Sequence, residues 1–121
     1  MAQGEISKQL QDQINRLQQV RSQVQSILLQ RQQVELRLKE INAALDELEK
    51  TDDKTPIYKA AGAVLVKANS KKEIVDELKS NKETLELRKK TLEKQEGRAR
   101  ESLNELQSKV QNALSLSKED K

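Results

Sequence analysis

The sequence predicts a mainly α fold: a long antiparallel two-helix coiled coil with one β-hairpin between the helices. Three observations carry this. A heptad of apolar residues runs through the first 50 positions, a short β-favouring stretch follows a proline near the middle, and a second helical pattern opens on a capping signal and runs to the C-terminal end. The expected boundaries are a helix at about 5–50, a hairpin at about 56–68 and a helix at about 71–116, all in one domain.

The first helix contains neither Pro nor Gly from Glu5 to Lys50. Stepping by four and three residues gives Ile6, Leu10, Gln13, Leu17, Val20, Val24, Ile27, Arg31, Val34, Leu38, Ile41, Leu45 and Leu48. Eleven of these thirteen are apolar, the pattern of a coiled-coil seam. Gln13 and Arg31 interrupt it, and polar groups at such positions cost stability while fixing register. The many Gln residues off the seam read as an uncharged polar helix face.

Thr51-Asp52-Asp53-Lys54-Thr55-Pro56 ends that helix, because Pro56 cannot continue one and Asp favours turns. Ile57–Lys59 and Val64–Val66 then flank Ala60-Ala61-Gly62. This reads as strands of about 56–60 and 63–68 around a three-residue loop, with Gly62 at the positive φ of a G1 bulge. A lone two-stranded hairpin is marginal in water and leaves both edges unpaired. Ile57, Tyr58, Val64, Leu65 and Val66 are therefore the expected oligomerisation residues. The competing reading packs them on their own helices near Leu45, Leu48, Ile74 and Leu78.

Ser70-Lys71-Lys72-Glu73 is a capping box that starts the second helix. Its seam reads Val75, Leu78, Lys82, Leu85, Lys89, Leu92, Glu96, Ala99, Leu103, Leu106, Val110 and Ala113, weaker than the first in its middle. Each helix extends on the order of 70 Å at 1.5 Å per residue. Folding back pairs Lys50 with Lys71 near the hairpin and Glu5 with Leu116 at the far end. There the seam opens, and Ile6, Leu10, Ile14, Leu17, Leu106, Val110, Leu114 and Leu116 form an apolar set for binding other proteins; for Leu10, Leu17 and Leu106 the competing and favoured reading is coil core, and for Ile14, Leu114 and Leu116 it is contact.

Composition excludes much else. Of the 121 residues 36% are charged and 34% hydrophobic, with one Tyr and no Phe, Trp, Cys or His. Thiol chemistry, zinc-finger sites and histidine catalysis are absent, and the three scattered glycines build no phosphate loop. No catalytic, cofactor or metal site is expected. The net charge of +3 is spread along the chain, with seven basic and seven acidic groups in residues 5–50 and eleven and nine in residues 71–116. The cluster Arg88-Lys89-Lys90, with Lys94, Arg98 and Arg100, is interleaved with Glu86, Glu93, Glu96 and Glu101. It reads as a solvated helix face, not a nucleic-acid surface. No apolar run can span a bilayer, and Met1 to Gln11 has no signal-peptide core. The expected place is the cytoplasm.

Ile57-Tyr58-Lys59-Ala60-Ala61-Gly62-Ala63-Val64-Leu65-Val66 is similar to the V-Y-K-x-x-G-x-x-L-[IV] hairpin of the β-type prefoldin family. Leu85 to Glu96 resembles that family's L-x-x-R-E-K-x-x-E-x-Q-E stretch, with Lys89 where the pattern has Glu. The likeness extends over the whole helix–hairpin–helix order. It implies a subunit of the archaeal chaperone prefoldin, a hexamer of two α-type and four β-type subunits whose hairpins join in a β-barrel body. It also implies ATP-independent holding of unfolded clients at the distal coiled-coil tips and their delivery to a group II chaperonin. The alternative is a structural coiled-coil adaptor without client binding.

Overall fold

The computed structural model describes residues 7–119, with side chains to residue 116. In chain order it contains α1 (Lys8–Lys50), β1 (Tyr58–Ala61), β2 (Val64–Lys67) and α2 (Lys71–Glu119). These are two long packed helices with an antiparallel hairpin between them. The expected start of the first helix at Glu5 lies outside the described residues. Ser7 is its cap: the Ser7 hydroxyl accepts the Leu10 N–H at 3.1 Å, and the Ser7 carbonyl accepts the Gln11 N–H at 2.9 Å. The heptad conceals this cap, because Ile6 continues the seam beyond it and Leu10 stands where a capping box has Glu or Gln. At the other end α2 runs three residues past the expected stop at 116.

The seams lie where the heptads put them. On α1 every seam position from Leu10 to Leu48 is buried or half-buried, and on α2 so is every one from Val75 to Ala113. Leu, Val and Ile at these positions remove a narrow apolar stripe from water on each helix. The chain divides into two compact units. A terminal unit comprises the described residues up to Arg31 together with those from Thr91 onward, and a hairpin unit comprises Gln32–Lys90. In the terminal unit Leu10, Leu17 and Val110 form a buried cluster, with Ile14, Leu103, Leu106 and Ala113 packed against it. In the hairpin unit Val34, Leu38 and Ile41 are buried.

The segment after α1 is a hydrogen-bonded turn. Thr51 closes the helix by donating its hydroxyl to the Glu47 carbonyl at 2.8 Å. The Asp52 carboxylate accepts the N–H groups of Lys54 and Thr55, both at 2.9 Å, and the Thr55 hydroxyl at 3.0 Å. The Thr55 hydroxyl first, then those two amides, holds the Asp52 carboxyl below its ordinary value. Across the neck Lys71 donates to the Thr51 carbonyl at 2.6 Å, tying the start of α2 to the end of α1. Ser70 caps α2 as expected, its hydroxyl accepting the Glu73 N–H at 3.1 Å.

The hairpin differs from expectation at its tip. Ala61 pairs with Val64, so the loop is the two residues Gly62-Ala63 and not three. Gly62 has φ of 62° and no other described residue has positive φ, the signature of a type II′ turn with Gly first. Strand twist explains the choice, since a II′ turn matches the right-handed twist of the flanking strands without a bulge.

Candidate functional site: the hairpin and the terminal seam

Strand pairing sorts the hairpin residues onto two faces. Tyr58 opposes Lys67 and Ala60 opposes Leu65, which places Tyr58, Ala60, Leu65 and Lys67 on one face. Lys59, Ala61, Val64 and Val66 form the other. All eight strand residues are exposed, Leu65 most of the large apolar ones at 71%. Each face thus shows bulky apolar groups to water: Tyr58 and Leu65 on one, Val64 and Val66 on the other.

The edges are open in a defined pattern. The Ala68 N–H donates to the Ile57 carbonyl at 2.8 Å, so Ile57 and Ala68 form a hydrogen-bonded pair. Alternation along an antiparallel ladder makes Lys59–Val66 and Ala61–Val64 the other such pairs. The backbone groups of Tyr58 and Ala60 on β1, and of Leu65 and Lys67 on β2, then point outward. These are the groups an added strand would use.

Two features tie the hairpin to its own helices. Lys59 donates to Glu77 of α2 at 2.7 Å, and Ile57 is half-buried. A groove of about 270 Å³ lies beside β1, lined by Tyr58, Lys59, Ile74, Glu77 and Leu78 among others. Of the five residues expected to assemble, Tyr58, Val64, Leu65 and Val66 are exposed and Ile57 is partly covered. Packing on the chain's own helices therefore accounts for little of their apolar surface.

The residues expected to meet clients separate by burial. Leu10, Leu17 and Val110 are buried in the seam, and Ile14 and Leu106 are half-buried against it. Leu114 and Leu116 are exposed, the latter at 61%. Ile6 lies outside the described residues. Leu10, Leu17 and Val110 face α1–α2 contacts because seam packing removes them from water; in this closed arrangement they offer no surface. Sequence reasoning does not single out Leu29, Leu36 and Leu87, which are also exposed; their signal is their place off both heptads.

Sequence reasoning also leaves unpaired the two charges on the seams of the terminal unit. Arg31 Nε donates to Glu96 Oε1 at 2.5 Å, and Arg100 Nε donates to Glu96 Oε2 at 3.0 Å. Counting back from the hairpin places Arg31 nearest Lys90. Its long side chain reaches Glu96 instead, where opposite charge rewards the contact. The Glu96 side chain is only 12% exposed. The Arg31 hydrogen bond first, and then Arg100, holds its carboxyl below the ordinary 4.5, against the opposing effect of burial.

A pH dependence follows. Glu96 has a lower pKa folded than unfolded, so its stabilisation is complete above the ordinary carboxylate range and is lost as pH falls through the lowered folded value. At pH 7 Glu96→Gln is expected to cost about 1–3 kcal/mol, the range for a weakened charge-assisted hydrogen bond. The gap in thermal stability between the parent and this variant should close as the pH falls well below 4.5. A gap that stays constant from pH 7 to pH 2 would contradict the role given to Glu96.

Among the described residues no helix is long and apolar enough to cross a membrane. The same residues hold no group of three Asp or Glu side chains placed to bind a metal ion.

Comparison with known proteins matches residues 11–116 to the family model described as Prefoldin subunit. A "Prefoldin subunit beta" from Archaeoglobus fulgidus is 47% identical over 112 residues, covering 93% of this chain and 96% of the relative. One of the same description from Methanosarcina acetivorans is 42% identical over 110 residues, covering 91% and 93%. Among solved structures, the crystal structure of the prefoldin beta subunit from Thermococcus strain KS-1 superposes with a TM-score of 0.79 at 40% identity. That match covers 91% of this chain and 96% of the other.

Proposed function

The chain belongs to the prefoldin family as a β subunit, a non-enzymatic chaperone component, and from that premise we propose that it is one arm of an ATP-independent holdase. Its hairpin joins those of α-type and further β-type subunits in a hexamer of two α and four β. Its helix termini capture unfolded proteins in the cytoplasm and deliver them to a group II chaperonin. The observation that carries the assembly reading is the hairpin, apolar and exposed on both faces with open edges. A rod that only spaced other proteins would have no use for such an insert.

For client capture the support is the exposed pair Leu114 and Leu116 beside half-buried Ile14 and Leu106. Apolar contact of this kind demands no fixed hydrogen-bond pattern and so suits varied clients. Each arm binds weakly, and joining several on one body multiplies their effect. Leu10, Leu17 and Val110 contribute only where the seam opens.

The test is truncation within the assembled complex. Removing residues 1–17 and 106–121 should abolish suppression of aggregation of reduced, denatured lysozyme. Assembly, read by native mass spectrometry, should persist with only the deleted mass missing. A truncated complex that still suppresses aggregation fully would sink the terminal-capture reading.

A further inference from the structure

We propose that the Arg31–Glu96 pair sets the axial register of the two helices in the terminal unit. Apolar seams repeat every seven residues, so a slip of one heptad offers similar burial in another register. Such a slip displaces one helix along the other by about 10 Å, from 1.5 Å per residue. The seam residues around this pair are interchangeable in that sense: Val20, Val24 and Ile27 on α1, and Leu92, Ala99 and Leu103 on α2 are all apolar.

The charged pair is not interchangeable. The residues seven positions from Glu96 are Lys89 and Leu103, and those seven from Arg31 are Val24 and Leu38. A slip in one direction sets Arg31 against Lys89 and Glu96 against Val24. A slip in the other sets Arg31 against Leu103 and Glu96 against Leu38. The first brings two cations together and the second leaves both charges facing apolar side chains. Either error takes Arg31 away from a largely covered carboxylate and leaves it only Arg100 of its own helix, with one oxygen no longer paired across the seam.

The position of the pair suits the task. Gly97 follows Glu96 within α2 with open space where a Cβ would stand, and glycine inside a helix weakens it locally. Register is thus enforced next to the residue where α2 is least constrained by its own backbone. Correct register keeps Leu106 and Val110 of α2 in one cluster with Leu10 and Leu17 of α1, and with them the placing of Leu114 and Leu116.

The chain has no Cys, so spin labels can be placed on Ser22→Cys and Ser102→Cys, both exposed and both in the terminal unit. Pulsed dipolar spectroscopy on the full chain should give one narrow distance. Adding Arg31→Leu with Glu96→Leu should introduce a second population with a shifted distance, while helix content by circular dichroism is retained. Adding instead Arg31→Lys, which keeps the cation opposite Glu96 and its repulsion from Lys89, should leave the single narrow distance. The proposal is overturned if the leucine pair keeps the parent's single distance, if it loses its helix, or if Arg31→Lys shows two populations.

Discussion

Leu65→Asp combined with Val66→Asp should leave both helices folded and abolish assembly. The two residues lie on opposite faces of the hairpin and are exposed in the single chain. Both side chains stand mostly in water, so the helices do not depend on them. In the assembly proposed above the same positions become interface. Losing the burial of each side chain removes about 1.5–3 kcal/mol, and placing a carboxylate there adds a desolvation cost. At 1.4 kcal/mol per tenfold, each contact should weaken by at least about a hundredfold. Native mass spectrometry with the partner subunits present should show the free chain where the parent gives a complex, at unchanged helical ellipticity. A complex of unchanged mass would mean that these faces are not buried on assembly.

The opposite separation is expected of Leu92→Ala. Leu92 is 1% exposed, the most buried side chain described. It lies where the α2 seam has few apolar groups, between Lys89 and Glu96. Truncation removes its transfer free energy and leaves a cavity, at a cost of about 2–5 kcal/mol. For a chain near this size each kcal/mol lowers the melting temperature by about 4–8 °C. The midpoint by circular dichroism should therefore fall by about 10 °C or more, whereas Leu116→Ala should hardly move it. A shift within about 1 °C would show that the α2 seam does not depend on this side chain.

These two expectations rest on different depths of reading. Leu92 is legible as a core residue from spacing alone, because a heptad assigns each position to the seam or away from it. The cap at Ser70 is legible for a similar reason, since capping is decided within four residues. The same local logic fails at Ser7, where Ile6 continues the apolar repeat past the cap. It also fails at Gly62. A glycine with positive φ serves a three-residue bulged loop and a two-residue II′ turn equally well, and only the Ala61–Val64 pairing separates them.

The candidate binding residues divide along the same line. Leu10, Leu17 and Leu106 are read from the sequence as either seam or contact surface, two roles that exclude each other while the helices are closed. Apolar character alone cannot choose between them, because burial depends on the partner helix. Leu114 and Leu116 stay exposed because they fall off the seam.

Local and periodic information therefore determined the helices, their seams, the central hairpin and, through two motifs, the prefoldin family. These follow from backbone propensity and from apolar spacing, which a single strand of sequence carries in full. Only the tertiary structure decided the turn type, the exposure of both hairpin faces and the Arg31–Glu96–Arg100 cluster. The turn type depends on which strand residues pair across the tip, while the hairpin's exposure and the Arg31–Glu96 contact depend on how separate elements come together, and a side chain 65 positions away contributes nothing to local preference.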